Sequence, residues 1–223
     1  MFPLTHFPKA AAEEFAVAYE NTYKMPIVVV HTMNVFGERQ LPSKFIPKVV
    51  HSVIDGKEVT IHADSSKTKP GSRRYIHAKD VADGLLFILS LPRDYKHEGD
   101  FGGAKCPKFN LVGEQELDNL ELAKMIASSV GQELKYKLVD FHSSRPGHDL
   151  RLGNFTMNFT HYIAISKILN PCIEKLLFYR YAISGDLLKT LGWTPKFTLT
   201  ERIAQFSQWI QENPQWSNME NIK

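Results

Sequence analysis

Residues 26–47 read PIVVVHTMNVFGERQLPSKFIP, and the fold turns on how this stretch is read. Residues 27–32 are a short β-branched run without polar alternation. A strand with water on one face alternates apolar and polar residues. A continuous run of this length suits a strand buried on both faces of a parallel sheet. The polar stretch NVFGERQLPSK then reads as a loop, and residues 43–54 as a helix. Upstream, residues 9–23 form an amphipathic helix with Ala12, Phe15, Ala16 and Tyr19 on one face and Glu13, Glu14 and Glu20 largely elsewhere. Pro26 ends it.

Working outward, residues 58–63 read as a strand and residues 64–74 as a polar loop with its turn signal at Pro70-Gly71. Residues 75–78 read as a short extended piece, and residues 79–91 as a helix stopped by Pro92. KFNLVG is another strand, and residues 117–131 are a helix ended by Gly131. LKYKLVDF alternates as a half-buried strand does. Helices near 184–191 and 200–212 close the chain, joined by GWTPKF. Strands and helices alternate, which argues for α/β architecture.

The 223 residues are 43% hydrophobic, enough for a buried core. A formal charge of +3 gives no case for nucleic acid and suits an anionic small ligand equally well. Two cysteines, Cys106 and Cys172, without a CxxC or Cys/His spacing argue against a zinc site or a disulfide framework. No apolar run is long enough to cross a bilayer, and the N-terminus lacks a signal-peptide pattern. The expected location is therefore the cytoplasm, without a membrane partner. The glycosylation sequons at Asn154 and Asn158 read as chance matches.

Several stretches carry chemistry: Lys9-Ala10-Ala11-Ala12-Glu13, NVFGERQLPSKFIP, GSRRYIHAKDVADGLL, FNLVG, SRPGHDLR and LGWTPKFTLTERI. In this order and spacing the chain resembles the C-terminal half of an extended short-chain dehydrogenase/reductase, in particular the nucleotide-sugar 4,6-dehydratases acting on dTDP-glucose or UDP-glucose. The resemblance spans nearly all of the chain except residues 1–8 and about 152–180. It implies the C-terminal part of a Rossmann-type doubly wound α/β sheet plus a small α/β substrate-binding lobe. It also implies NAD as cofactor and a nucleotide-diphosphate sugar as substrate. The activity implied is oxidation of the hexose at C4, loss of water across C5–C6 and return of the hydride to C6. An epimerase or decarboxylase of nucleotide sugars is the alternative within the superfamily, and a non-catalytic nucleotide-sugar-binding remnant the alternative outside enzymes.

The resemblance assigns roles residue by residue. Lys9 matches the active-site lysine that bonds the nicotinamide ribose and lowers a neighbouring tyrosine's pKa, a catalytic and cofactor-binding role. Thr5, not tyrosine, stands four residues before it, and His6 is one position out of register. Asn34 matches a substrate-contacting loop asparagine, or else is a turn residue before Gly37. Lys44 either meets a substrate phosphate at a helix start or is a solvated lysine. Arg73 and Arg145 match two arginines on the diphosphate, whose fork a guanidinium fits. His148 either meets the nucleotide end or packs a loop. Asp80 and Asp83 read as helix-start charges rather than catalytic acids. Three residues depart from the pattern: Glu38 where proline is usual, Arg74 where an acid is usual, and His31 where arginine is often found.

No GxxGxxG dinucleotide loop occurs in the sequence. The expectation is therefore a chain without dehydratase turnover, whose N-terminal dinucleotide-binding half is absent and whose sheet has an uncovered hydrophobic edge. Residues 1–150 are expected to be a remnant of the NAD-binding fold interleaved with the substrate lobe, and residues 181–223 the closing substrate-lobe helices. Residues 151–180 form an atypical insertion, with no aspartate and one glutamate across LGNFTMNFTHYIAISKILNPCIEKLLFYR. It reads as a surface insertion, an interaction element or, in the favoured reading, translated non-coding sequence. A homodimer, or pairing with an intact homologue, is the expected assembly.

Overall fold

The computed structural model describes residues 6–92, 106–144 and 184–216. In chain order these form α1 (His6–Tyr23), β1 (Val29–Thr32), β2 (Val35–Phe36), α2 (Phe45–Ile54) and β3 (Val59–Ala63). Next come β4 (Ser72–Arg74), β5 (Ile76–His77), α3 (Ala78–Ser90), β6 (Lys108–Leu111) and β7 (Glu116–Asp118). The described elements close with α4 (Asn119–Val130), β8 (Tyr136–Asp140), the short α5 (Phe141–Ser144), α6 (Asp186–Thr190) and α7 (Leu199–Glu212).

The described strands pair as four small sheets. β1 with β6, β2 with β5 and β3 with β8 run parallel, and β4 with β7 runs antiparallel. The α/β class with parallel pairing is therefore as expected. The larger core lies in the lobe where α2, α4 and α7 pack together over β3. Val49, Val50, Ile61, Leu122, Ile126, Ile203 and Phe206 are all fully buried there. A smaller core joins α3 to β6 and α6 through Ile88, Phe109, Leu111, Leu188 and Trp193.

Local chemistry sets the helix limits. Asp118 caps α4, its carboxylate accepting from the amides of Leu120 and Glu121. Gly131 ends α4 in the left-handed conformation at φ 74°. Thr198 and Glu201 close a capping box at the start of α7. α3 is capped by an unusual group, the His77 ring, whose Nδ1 accepts from the Lys79 amide at 3.2 Å.

Four local expectations are corrected. The loop at 64–74 ends in strand β4, because Ser72–Arg74 finds a partner in residues 116–118. For the same reason the helix expected from residue 117 starts only at Asn119. β8 shows no alternation, its first two residues being exposed and the other three half-buried. The largest change is in α1, which turns Glu13, Ala16, Val17 and Glu20 inward and leaves Phe15 66% and Tyr23 67% exposed. Polar partners decide this. Glu13 takes bonds from His31 at 3.0 Å and Lys108 at 2.8 Å, so the sheet receives the acidic stripe of the helix.

Strand geometry places the two helices flanking β1 and β6. Side chains alternate between the faces of a strand. His31 and Lys108 meet α1, whereas Phe109 and Leu111 pack in one cluster with Ile88 of α3 and with Val30. α1 and α3 therefore cover opposite faces of this parallel pair.

Candidate functional site

The turn between β1 and β2 carries Asn34, whose backbone is left-handed at φ 40°. Asparagine tolerates that conformation far better than a β-branched residue. Its Nδ2 donates to the Arg74 carbonyl at 2.9 Å, and the residue is exposed. The contact draws the turn onto β4, the strand that also carries Arg73. Arg73 Nη1 donates to the Ser72 carbonyl at 2.6 Å.

Arg74 has a different task. Its Nη1 donates to the carbonyls of Gly113 at 3.2 Å and Glu114 at 3.0 Å. An arginine where the resemblance expects an acid thus closes the turn between β6 and β7. A cavity of about 90 Å³ opens beside it, lined also by Asn110, Lys189 and Trp193. Asn34, Lys44 and Arg73 do not line it.

Lys44 sits at the N-cap of α2, with no side-chain cap and no acidic residue in the first turn. Its ammonium has no hydrogen-bond or ion-pair partner among the described residues. A helix start carries a partial positive charge, so this end has two unneutralised sources of positive potential. The backbone of Lys9 lies in α1, one turn ahead of Glu13. Arg145, His148 and the segment 151–180 lie outside the described residues.

Glu38, a departure from the family pattern in sequence, has a structural role. Its carboxylate binds Lys79 at 2.6 Å and stands 3.4 Å from His77 Nε2, in ion-pair range without hydrogen-bond alignment. Burial works to raise the Glu38 pKa, but the Lys79 bond and the neighbouring charges outweigh it and hold the carboxyl below its ordinary value. Burial also dominates at His77, whose pKa is lowered although Glu38 and Asp80 oppose the shift.

Asp80 and Asp83 act as anchors. Asp80 and Arg202 are both buried, and the Arg202 Nε and Nη2 grip the two carboxylate oxygens. Phe197 stacks on the guanidinium at 4.4 Å. Asp83 accepts from the Trp193 indole at 3.0 Å and from Lys196 at 2.8 Å, and chiefly the Lys196 bond lowers its pKa. Together they fasten residues 193–202 to α3. Sequence reading also missed the chain of contacts through Glu13, His31 and Asn110, which continues to the Ser184 carbonyl. The signal was present in two features: a histidine inside an otherwise apolar strand, and a glutamate on the helix before it.

The described groups suit binding better than proton transfer. Burial pushes the Tyr75 phenol up to about 12, with Arg73 opposing, and its hydroxyl lies 3.0 Å from Asn119 Oδ1. It is a donor, not a base. No cluster that could hold a metal occurs among the described residues. No described strand-to-helix junction opens on a glycine-rich loop: α3 starts from His77 and α4 from Asp118. The described residues therefore do not supply a cradle for a dinucleotide pyrophosphate.

Parallel α/β pairing, an exposed asparagine tied to the strand that carries Arg73, and a helix start at Lys44 with no acidic residue in its first turn describe an α/β unit suited to an anionic, hydrogen-bonding ligand. Residues 6–102 match the model of the NAD dependent epimerase/dehydratase family. It is 26% identical over 217 residues to the human dTDP-D-glucose 4,6-dehydratase, covering 95% of this chain and 49% of that one. It is 27% identical over 210 residues to a trifunctional UDP-glucose 4,6-dehydratase of Arabidopsis thaliana, covering 93% of this chain and 24% of that one. Among solved structures, the dTDP-glucose 4,6-dehydratase of Bacillus anthracis in complex with NAD aligns with a TM-score of 0.64 at 24% identity. That alignment covers 93% of this chain and 52% of the other. The UDP-glucose 4-epimerase of Thermus thermophilus, also with NAD, aligns with a TM-score of 0.63 at 20% identity. The chain thus spans about half the length, or less, of the relatives it matches.

Proposed function

We propose that this chain is the nucleotide-sugar-gripping portion of an NAD-dependent 4,6-dehydratase of dTDP-glucose or UDP-glucose. The observation that carries the reading is the bond from Asn34 Nδ2 to the Arg74 carbonyl, which ties the exposed Asn34 turn to β4, the strand that also holds Arg73. In this reading Asn34, Lys44, Arg73 and Arg145 hold the diphosphate and sugar, and His148 meets the nucleotide end. Lys9 contacts the NAD ribose and is the one catalytic residue assigned to the chain. Residues 1–150 interleave the cofactor fold with the substrate lobe, 151–180 is an insertion, and 181–223 completes the lobe. The protein is assigned to the cytoplasm; no described helix is long and apolar enough to cross a membrane. A homodimer or pairing with an intact homologue is its assembly.

The 223 residues taken alone are proposed to bind nucleotide sugar without turning it over, since they hold no dinucleotide loop. Calorimetry of the purified chain with dTDP-glucose and UDP-glucose tests this. Micromolar heats without any 4-keto product are expected, and Arg73→Ala is expected to weaken binding about 10- to 100-fold, as losing a charge-assisted bond does. Silence with both ligands would falsify the binding reading, and formation of a 4-keto product would overturn the statement on turnover. The likeness to a 4-epimerase fold supports a second reading, which shares the same ligand class.

A further inference from the structure

Residues 37–44 connect β2 to α2 and end at Lys44. They form two successive tight turns. The first is closed by the Gln40 amide on the Gly37 carbonyl at 3.2 Å, the second by the Lys44 amide on the Leu41 carbonyl at 3.0 Å. In the first turn Arg39 takes a left-handed backbone at φ 66°. That conformation favours glycine or asparagine, and an arginine stays in it only where its surroundings hold it. Three consecutive side chains supply the hold, each on a different element. Glu38 binds Lys79 at the start of α3 at 2.6 Å. Gln40 Nε2 donates to the Val35 carbonyl of β2 at 2.9 Å. The Arg39 guanidinium lies over the Trp216 ring, 5.4 Å from its centroid.

Trp216 is itself held in place. Its amide donates to the Asn213 carbonyl at 3.1 Å, and Asn213 Nδ2 donates to the Trp209 carbonyl at 2.8 Å, so residues 213–216 turn on the end of α7. The Trp216 and Trp209 rings lie 6.2 Å apart at 40°, and Trp209 packs against the larger core. A continuous path of contacts therefore runs from that core through two indoles and one guanidinium to the loop that ends at Lys44. A binding group fixed before its ligand arrives loses less freedom on binding. We propose that Arg39 and Trp216 are positioning residues: their stack fixes the 37–44 loop, so that Lys44 and the start of α2 present a preformed anion site to the diphosphate. The assignment of that ligand rests on the function proposed above. Arg39 acts here through the loop and not as a phosphate ligand, which separates its role from that of Arg73.

The experiment compares the full chain with Trp216→Ala, Trp216→Phe, Arg39→Ala and the double variant Arg39→Ala/Trp216→Ala. It reads hydrogen exchange without ligand and calorimetry with dTDP-glucose and UDP-glucose. Without ligand, either alanine variant is expected to speed exchange of the Gln40 and Lys44 amides by about 3- to 10-fold and to leave the α4 amides as they are. Each is expected to weaken binding by about 3- to 10-fold. The double variant is expected to lose no more than one of them, because both remove the same interaction. Trp216→Phe keeps a ring under the guanidinium and is expected to bind within about twofold of the unaltered chain. Unchanged exchange at Gln40 and Lys44 in both alanine variants overturns the proposal. So does a binding loss that follows Arg39→Ala alone, which makes Arg39 a direct phosphate ligand, or a loss in Trp216→Ala that Trp216→Phe does not restore. If the unaltered chain gives no heat with either ligand, the function proposed above falls, while the exchange result still decides whether the stack holds the loop.

Discussion

The lobe of α2, α4, α7 and β3 and the layer of α1, β1, β6 and α3 are built from equally apolar segments, yet they end up differently. In the lobe, each apolar stripe meets another from the same chain. α2 turns Val49, Val50 and Val53 onto α4's Leu122 and Ile126, and α7 adds Ile203, Phe206 and Ile210. In the layer, α3 buries Ile88 but leaves Leu86 and Leu89 to water, and α1 presents acids inward and aromatics outward. Hydrophobic content therefore does not decide whether a region closes its core; the presence of a complementary face within the same chain does. The layer is the half-finished side, and its missing contacts have a definite direction.

The clasp between the two regions is the Asp80–Arg202 pair, reaching from α3 to α7, and its loss is the largest effect expected. Asp80→Ala leaves the buried Arg202 guanidinium without its carboxylate, which costs about 3–5 kcal/mol. Urea unfolding measures it. A loss below about 1 kcal/mol would mean that the two regions do not depend on the clasp.

The contrast itself is tested by two truncations of large apolar side chains. Phe206→Ala, in the closed core, is expected to cost about 3–5 kcal/mol, whereas Leu86→Ala, on the open side, is expected to stay within about 0.5 kcal/mol. Equal losses in denaturant titrations would erase the distinction between the regions. Within the lobe, Thr198→Ala removes the capping box that starts α7 and is expected to cost about 1 kcal/mol. The Glu201 pKa is lowered chiefly by the Thr198 backbone amide, which the variant keeps, and next by the hydroxyl, which it removes.

The smallest effect is a pH dependence where the two regions meet. His77 has its pKa lowered in the fold, chiefly by burial. The unfolded chain, with an ordinary imidazole near 6.5, takes up the proton first. Stability is then intact above that pH and declines as pH falls through the window below it. His77→Asn keeps a capping side chain at the start of α3 and is expected to flatten this decline in thermal melts between about pH 7 and 5. An unchanged slope in the variant would assign the decline to other groups.

Much of the fold was readable from local pattern. The β-branched run before Asn34, the valine-rich helix of residues 45–54 and the Gly131 signal at the end of α4 each act within a few residues, where propensity and capping operate. The short strands β4 and β7 were not readable. Three residues such as Ser72–Arg74 have no strand signal of their own and extend only because residues 116–118 arrive opposite them. Of the candidate site, the sequence pointed to Asn34 and Arg73 separately; the tie between the Asn34 turn and the strand of Arg73 is a hydrogen bond to the Arg74 carbonyl that crosses 40 positions. Glu38 and Lys79 were unreadable as a pair for the same reason.

The α/β class, the parallel character of the strand at 27–32 and the absence of a glycine-rich dinucleotide loop followed from the chain alone, because periodicity and residue type act locally. Tertiary structure decided which face of α1 turns inward, what Arg74 and Asp80 hold, and which apolar side chains of α1 and α3 stay exposed. Those outcomes depend on partners far away in sequence: a carboxylate goes where a buried cation can meet it, and an apolar stripe stays in water when no surface of the same chain covers it.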